Sequence, residues 1–529
     1  MDEDSIHEDI DQPDSTTDRL HDLALETDDS SEGHTFDELV GRLLAMPTSK
    51  SEQKFVPSFL CLYRAFSTPL QLLIAIIEQF GKTKTGNMVV FTKAAELLRY
   101  LSVLGTWTTY YPGDFADPKV REMATTFVTT IEKTKNYSAA ARQVLNNLST
   151  FLPDEDEEWA FEEGAESVRS RSNTTSQKSL GSSTKSAKGR YEEVQYEDDS
   201  SCDDEGPTPS PRHSATTSSA SSLAKTSHIS SQTSDNLHNL ETAREQARRL
   251  RVIPSIPVSK TRWHQFMECS VEDLAVEITR IDWTMYSAIR PRDFVQYVTR
   301  SNSQRVKTGQ VDFIGMMTKH FNHLALFVSG MILLRDKPKH RAMILAKFMD
   351  LAWKVRQMNN YHALGAIVAA LNSEEIVRLG QTHELLTQER QKQFLRLKIL
   401  MGHQKSHAAY RMAWENSASE RIPFLPRIQE DLTKAATANA TFIKNKINWS
   451  KFEVMGETII SVQKSQDQPY AFPDRTVKGS EITKLILETK VLEGDEECAD
   501  PKEELYERSK QVEPLTTSTE KKKFDWLRR

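Results

Sequence analysis

Residues 359–382 read NNYHALGAIVAALNSEEIVRLGQT, and this stretch guides the interpretation of the whole chain. Its first half places apolar residues three and four positions apart, which predicts an α-helix with one buried face. Asn359 and Asn360 precede that helix, and their short amides suit a helix start. The pattern breaks at Asn372, and the two carboxylates that follow suit the first turn of a second helix. The stretch therefore predicts two packed helices, with Arg378 on an otherwise apolar part of the second.

The length and composition indicate several folded units with polar segments between them. A chain of 529 residues exceeds one ordinary domain, so we expect two or three. Hydrophobic residues make up 38% and can build cores, whereas 27% charged residues and a mean hydropathy of -0.55 indicate sizeable unfolded parts. The net charge of -7 argues against a nucleic-acid-binding protein, because no basic field would attract phosphate groups.

The cysteines and the first residues favour a cytoplasmic protein. Cys61, Cys202, Cys269 and Cys498 lie far apart, without the paired spacing of a zinc site or a disulfide framework. The acidic start, MDEDSIHEDIDQPD, is unlike a signal or transit peptide. No apolar run approaches the roughly 20 residues that cross a bilayer. We also find no motif for a cofactor, a metal ion or covalent catalysis, so we expect none of these.

The N-terminal third predicts a helical domain after a disordered acidic tail at residues 1–33. From residue 55 to residue 73 the sequence reads FVPSFLCLYRAFSTPLQLL, which is apolar on almost every helical face and indicates a buried helix. Thr68 followed by Pro69 predicts the next helix start, because proline loses no hydrogen bond at the first helical position.

These residues resemble the Ras exchanger motif domain of guanine-nucleotide exchange factors of the Son-of-sevenless type. The pattern F-L-x-x-Y-R-x-F-x-T-P-x-x-L-L is present at residues 59–73, and a W-x-x-x-Y…D-F element follows at residues 107–115. We place this N-terminal domain at residues 34–150. The alternative is an unrelated all-helical domain.

Residues 151–245 are rich in Ser, Thr and acidic side chains and poor in large apolar ones. Such a segment buries too little apolar surface to offset the entropy of ordering. We therefore predict a long disordered linker at residues 151–245.

Residues 250–515 resemble the catalytic exchange domain of the same family. HFNHLALFVSGMILL at residues 320–334 matches one block of the family's sequence pattern, from which Ala325 and Phe327 depart. Residues 359–382 match the central block of that pattern. INWSKFEVMGETIISVQKSQDQPY at residues 447–470 matches the segment that begins a protruding helical hairpin, and LYERSKQVEP at residues 505–514 matches the end of the domain. The resemblance implies an all-α fold of two helical domains joined by the linker.

The resemblance also implies a function without covalent chemistry. Such factors bind a Ras-like small GTPase in its nucleotide-free or GDP-bound form and promote GDP release, so that GTP can load. Residues that match the central block and the hairpin helix would bind the GTPase. They are Asn372, Arg378, Leu379, Thr382, Trp449, Met455, Glu457, Thr458, Ile459 and Ser461.

Two of these positions raise alternatives. Arg378 is our strongest contact prediction, because its fork of donors suits a carboxylate-rich switch segment of the GTPase, and the alternative is a structural ion pair. Ser461 stands where the family pattern often has a carboxylate, and Glu457 is a candidate substitute for it. Departures of this kind also fit a catalytically weak GTPase-binding scaffold with the same fold.

Three further expectations concern partners. The N-terminal domain either binds a second GTPase or buttresses the hairpin. The basic tail at residues 516–529, EKKKFDWLRR at its end, is a candidate for peripheral membrane contact, which would recruit the protein to the inner face of the plasma membrane. A frayed polar tail is the other interpretation. An unrelated helical adaptor is the third reading of the whole chain.

Overall fold

The computed structural model describes residues 33–85, 90–157, 159–161, 229–300, 311–492 and 500–514. Apart from Gly33, the predicted acidic tail lies outside the described residues, as do the basic tail and most of the predicted linker. Along the described ranges, no helix combines the length and apolarity needed to cross a membrane.

The N-terminal domain is helical throughout its described part. Two short 3-10 turns, Tyr63–Ala65 and Pro112–Phe115, separate some of its helices. The α-helices described there are α1 (Phe36–Leu44), α2 (Lys50–Leu62), α3 (Pro69–Thr85), α4 (Val90–Tyr110), α5 (Pro118–Glu132) and α6 (Ser138–Ser149).

The second domain is also built from helices, which confirms the predicted all-α class. Its described helices are α7 (Ile229–Arg249), α8 (Lys260–Glu268), α9 (Val271–Ser287), α10 (Pro291–Thr299), α11 (Phe313–Leu333), α12 (Pro338–Gln357), α13 (Tyr361–Leu371), α14 (Glu374–Val377), α15 (Gly380–His383), α16 (Gln388–Leu400), α17 (Ala408–Glu415), α18 (Leu425–Ala438), α19 (Trp449–Gln466), α20 (Val477–Leu487) and α21 (Pro501–Val512).

Four two-residue strands accompany these helices in the described residues. The parallel pair is β1 (Ile256–Pro257) with β4 (Thr489–Lys490), and the antiparallel pair is β2 (Phe442–Ile443) with β3 (Lys446–Ile447). The first pair ties the start of the second domain to a segment near its end. The second pair forms the turn between α18 and α19.

Polar side chains set the helix starts where the sequence predicts them. The Thr68 hydroxyl accepts a hydrogen bond from the Gln71 backbone N–H at 3.2 Å, and α3 begins at the following proline. The Asn360 side chain accepts one from the Ala363 backbone N–H at 3.0 Å and opens α13. Each contact satisfies a backbone donor that has no partner within its helix.

Helix α13 lies at the centre of the second domain. It packs against α11 and α12 and is buried around nearly its whole circumference, with Ala369 as the exposed residue. The sequence pattern predicted one buried face for this helix, whereas the structure buries nearly all of its sides. Gly365 permits part of this packing, because a Cβ there would lie 2.6 Å from the Phe424 ring.

The structure differs from the predicted linker boundaries at both ends. Trp159 is buried beside the N-terminal domain, and α7 occupies residues that the sequence assigned to the linker. Arg244 of α7 is 7% exposed and donates to Glu155 at 3.2 Å and to Asp293 at 3.3 Å. Composition does not show this order, because the two segments are held by ion pairs between residues far apart in sequence as well as by apolar burial.

Candidate functional site

The predicted hairpin is formed by α18 and α19, which pack against each other. The turn between them places Lys444 and Asn445 in the left-handed region, with φ of 49° and 64°. Asn448 precedes α19, and its amide donates to the Ala440 carbonyl at 3.2 Å across the turn. The hairpin is therefore fixed at its tip by backbone geometry and by a side-chain contact.

One face of α19 packs against α2 of the N-terminal domain. The Trp449 ring lies 4.7 Å from the Phe55 ring and 5.9 Å from the Phe59 ring, measured between centroids. The Phe452 ring lies 5.1 Å from that of Phe66 in an edge-to-face arrangement. Trp449 is 2% exposed, so this predicted contact residue lies in the domain interface instead of on the surface.

A glycine brings α2 and α19 into close contact. A Cβ at Gly456 would lie 2.5 Å from the Ser58 Oγ and 2.6 Å from the Ser58 Cβ. No side chain fits in that space, so the two helices approach each other at the level of their backbones. The Ser58 hydroxyl donates to the Lys54 carbonyl at 2.9 Å and is satisfied within its own helix.

Two ion pairs flank this packing. Arg42 lies 3.8 Å from Glu453, and Lys54 lies 3.5 Å from Glu457. Both cations are more than a third exposed, so each pair contributes at most about 1 kcal/mol. Aromatic and glycine packing therefore dominates the interface between α19 and the N-terminal domain.

The remaining predicted residues of α19 differ in exposure. Met455 and Ile459 are 2% and 1% exposed and belong to the core. Thr458 is half-buried, and its hydroxyl donates to the Val454 carbonyl at 3.1 Å. Ser461 is also half-buried and accepts a hydrogen bond from the Trp414 indole at 3.3 Å, which joins α19 to α17.

The central block, residues 372–382, combines exposed and buried positions. Asn372 is exposed at the end of α13, whereas Leu379 is fully buried. Arg378 is half-buried and donates to the Ser509 hydroxyl at 3.1 Å and to the Glu513 carbonyl at 2.8 Å. These hydrogen bonds join Arg378 to the last described helix and to the residue after it. Their acceptors are a hydroxyl and a backbone carbonyl, so they are not the ion pair that the alternative names.

Thr382 belongs to a buried polar network. Its hydroxyl donates to the Glu513 carboxylate at 2.6 Å and accepts from the Arg341 guanidinium at 3.0 Å. Arg341 also donates to Glu513 at 2.7 Å. Burial by itself raises the pKa of Glu513, but the hydrogen bonds from Thr382 and Arg341 outweigh it and hold the pKa below its ordinary value. This network anchors the central block to the end of the domain.

Two exposed apolar side chains near these elements were missed by the sequence analysis. Val377 of α14 is 54% exposed, and Met412 of α17 is 66% exposed. The Tyr361 hydroxyl at the start of α13 donates to the Ala413 carbonyl at 3.0 Å, so α17 lies at that end of α13. The central block follows the other end, about 16 Å away at 1.5 Å per residue. The sequence shows that these residues are apolar but not that their side chains are exposed, and for that reason they were missed.

Comparison with known families agrees with the two-domain interpretation. Residues 273–453 match the model of the RasGEF domain, and residues 31–131 match the model of the RasGEF N-terminal motif. Both matches confirm the resemblance that the sequence indicates. The first includes the central block and the beginning of α19.

Curated relatives match parts of the chain at low identity. Rap guanine nucleotide exchange factor 5 of Mus musculus is 24% identical over 256 residues, covering 48% of this chain and 30% of the relative. Ras guanine nucleotide exchange factor B of Dictyostelium discoideum is 24% identical over 449 residues, covering 82% of this chain and 26% of the relative. Ras guanine nucleotide exchange factor R of the same organism is 31% identical over 209 residues, covering 39% of this chain and 12% of the relative. The chain spans less than half the length of each of these relatives.

Proposed function

We propose that this chain, which carries a RasGEF domain and a RasGEF N-terminal motif, is a guanine-nucleotide exchange factor. It binds a Ras-like small GTPase and promotes GDP release, so that GTP can load. The RasGEF match and the names of the Ras and Rap exchange factors among the relatives support this proposal. It catalyses nucleotide release without forming or breaking a covalent bond.

The mechanism follows from thermodynamic linkage. A protein that binds the nucleotide-free GTPase more tightly than the GDP-bound form lowers the affinity for GDP by the same factor. A tenfold preference corresponds to about 1.4 kcal/mol of coupling free energy. The exchange factor therefore needs a rigid surface that fits only the open form of the GTPase.

The packing of α19 on α2 is the observation that carries the proposal. Through Trp449 and Gly456, α19 packs directly on α2 of the N-terminal domain. A displacement of α19 toward α2 would therefore be resisted by this buried aromatic interface. A helix supported in this way can displace a switch segment of a partner without itself being pushed back. The N-terminal domain then acts as the buttress of the hairpin.

We divide the predicted contact residues into two groups by their burial. Exposed or half-buried residues would touch the GTPase, and buried ones would hold the surface in place. The contact group is Asn372, Glu457, Thr458 and Ser461, with Val377 and Met412 as apolar anchors. The supporting group is Leu379, Thr382, Trp449, Met455 and Ile459. Half-buried Arg378 is added to it because its guanidinium is held by Ser509 and the Glu513 carbonyl.

The spacing of this surface suits a GTPase. The ends of α13 lie about 16 Å apart, and a standard interface buries about 800 Å² on each partner, enough to cover both ends. Apolar anchors at the two ends would be joined by the polar residues of α19. The proposal therefore predicts one continuous contact across α14, α17 and α19.

Release of a fluorescent GDP analogue from a panel of Ras and Rap GTPases tests this function. We expect acceleration with at least one GTPase, reduced at least tenfold by Val377→Asp or Met412→Asp. Ile74→Asp serves as the control, because Ile74 is 40% exposed on α3, a helix that carries none of the predicted contact residues. Absence of acceleration with every GTPase would contradict the proposal.

The alternative is a catalytically weak GTPase-binding scaffold, and Ser461 is the observation that favours it. Its hydroxyl accepts from Trp414 and carries no charge, so it cannot compete electrostatically for groups that bind phosphate. Tight binding of the nucleotide-free GTPase without faster GDP release would support the scaffold. Ser461→Glu would then raise the release rate if charge is what the helix lacks.

Two finer points are proposals as well. A second GTPase on the N-terminal domain would give a 2:1 complex in analytical ultracentrifugation, whereas a buttress alone would give 1:1. We propose a cytoplasmic protein recruited to the inner face of the plasma membrane, and fluorescence microscopy of the tagged chain checks this. The basic tail at residues 516–529 lies outside the described residues.

A further inference from the structure

Helix α16 has two faces of different character. Its inner face carries Leu397, which is 2% exposed, and half-buried Phe394 and Leu400. Arg390 lies at the same side and donates to Asp350 at 3.0 and 3.1 Å. These contacts fix the helix against α12 and direct its other face to solvent.

Lys392, Leu395, Arg396 and Ile399 form the outer face. At 100° per residue they lie within about 100° of each other around the helix axis. Leu395 is 52% exposed and Ile399 is 59% exposed, and they lie one turn apart. A single exposed leucine is ordinary, but two aliphatic side chains in a row on one helix face form a ridge.

Cations border this ridge on both sides. Lys392 and Arg396 lie along one side, and Lys398 lies along the other, and all three are exposed. None of the three forms an ion pair within the described part of the chain. Glu389, in the first turn, is the one carboxylate of α16 and accepts a hydrogen bond from Gln393 at 3.3 Å.

The arrangement has a chemical counterpart in a lipid surface. Aliphatic side chains between lysines and arginines suit a helix that lies flat at a membrane interface, with the apolar ridge among acyl chains and the cations among headgroups. We propose that the outer face of α16, together with Lys398 at its edge, docks on membranes that contain anionic lipids. None of these five residues is among those that we propose touch the GTPase.

A planar lipid surface fits this face better than an acidic protein does. The two aliphatic side chains stand in one row and the cations stand on either side of it, so the long cationic side chains can extend toward the plane that the ridge meets. A protein partner would have to supply an apolar groove with acidic rims of the same width. Binding to such a partner instead of lipid is an outcome of the test.

Cosedimentation of the full chain with vesicles tests the proposal. The vesicles contain phosphatidylcholine alone or phosphatidylcholine with 30% phosphatidylserine. We expect binding to the second kind, weakened by raising the salt from 0.1 to 0.5 M. The triple variant Lys392→Gln, Arg396→Gln, Lys398→Gln should bind about a hundredfold more weakly, since each cation contributes about fivefold.

Further variants separate this face from other causes. Leu395→Gln with Ile399→Gln should weaken binding while all charges are kept, and Lys82→Glu with Lys84→Glu on α3 should leave it near that of the wild type. Circular dichroism confirms that each variant is folded. A variant with Lys521, Lys522 and Lys523 changed to Gln measures the contribution of the C-terminal tail.

Three results would overturn the proposal. The first is no binding to phosphatidylserine vesicles at low salt. The second is equal binding by the triple variant and the wild type, which would place the contact elsewhere. The third is unchanged vesicle binding together with lost GTPase binding in the face variants, which would make the face a protein contact.

Discussion

The guanidinium of Arg292 binds both carboxylate oxygens of Asp114 across the interface between the two domains. Nη1 donates at 2.7 Å and Nη2 at 2.9 Å, and both residues are 2% exposed. Arg292 also donates to Asp156 at 2.9 Å and to the Leu60 carbonyl at 2.8 Å. One arginine of α10 thus joins the N-terminal domain, the segment that follows it and the second domain.

Removal of this arginine should strongly destabilise the protein. Burial by itself raises the pKa of the Asp114 carboxyl, but Arg292, Arg64 and the Trp107 indole together outweigh burial and hold that pKa below its ordinary value. In Arg292→Ala, two buried carboxylates lose their main counter-charge. We expect a loss of about 3–5 kcal/mol in the free energy of unfolding, measured by urea denaturation.

A surface arginine provides the matched control. Arg142 pairs with Glu132 at 2.9 Å, but its side chain is 69% exposed. Arg142→Ala should change the free energy of unfolding by less than about 0.5 kcal/mol. An Arg292→Ala protein as stable as this control would show that the buried network contributes nothing net.

The arginine network marks a limit of prediction from sequence. The all-α class and the starts of α3 and α13 follow from local patterns, because Thr68 and Asn360 act within one helical turn. The partners of Arg292 are 178 and 136 residues away along the chain, so no local pattern identifies them. The same long-range pairing orders residues that composition assigned to the linker.

The second prediction concerns the contact between Gly456 and Ser58. In Gly456→Val the added side chain would collide with Ser58, because even a Cβ lies 2.5 Å from its hydroxyl. We expect the hairpin helix to shift away from α2, with GDP release slowed at least tenfold and the melting temperature lowered. Stopped-flow release assays and differential scanning calorimetry measure the two effects.

A second substitution and a neutral glycine make this prediction specific. Ser58→Gly should partly restore the Gly456→Val protein, because it removes the atoms nearest to the new Cβ. Gly105→Ala in α4 should be neutral or slightly stabilising, since nothing lies within 4 Å of a Cβ there. Equal behaviour of Gly105→Ala and Gly456→Val would contradict the close-packing argument.

The third prediction concerns the role of Arg378. Its guanidinium donates to Ser509 and to the Glu513 carbonyl, so Arg378→Ala should cost about 1.5–3 kcal/mol in the free energy of unfolding. Ser509→Ala should add little in the Arg378→Ala background, because the two residues share one hydrogen bond. Urea denaturation of the single and double variants measures this coupling. Additive losses would show that the two side chains act independently.

The sequence assigned the predicted contact residues to the central block and to the hairpin helix, but it did not predict which of them are buried. Residues of the central block and of α19 do lie on and around the surface that we propose binds the GTPase. Their exposure depends on which neighbouring helix covers them. Trp449 is covered by α2 and Thr382 by Glu513, contacts between residues far apart in sequence. Met412 is visible as an anchor only because its helix lies beside α19.

Two buried histidines predict how stability depends on pH. Burial lowers the pKa of His323 to about 4 and that of His362 to about 4. Each ring has a hydrogen bond to a backbone carbonyl, from His323 to Ile486 at 2.7 Å and from His362 to Met317 at 3.3 Å. Near pH 7 both are neutral in the folded protein, and the unfolded chain titrates near 6.5.

Acidification should therefore destabilise the folded protein between pH 6.5 and pH 4, because the unfolded chain takes up protons first. From pH 7.5 to 5.5 each histidine should lower the free energy of unfolding by about 1 kcal/mol. His323→Gln can keep the hydrogen bond to Ile486 and should reduce this loss by that amount, as measured by urea denaturation at both pH values. His264→Gln, at an exposed position, should leave the loss unchanged. A His323→Gln protein with the full loss would show that His323 does not cause it.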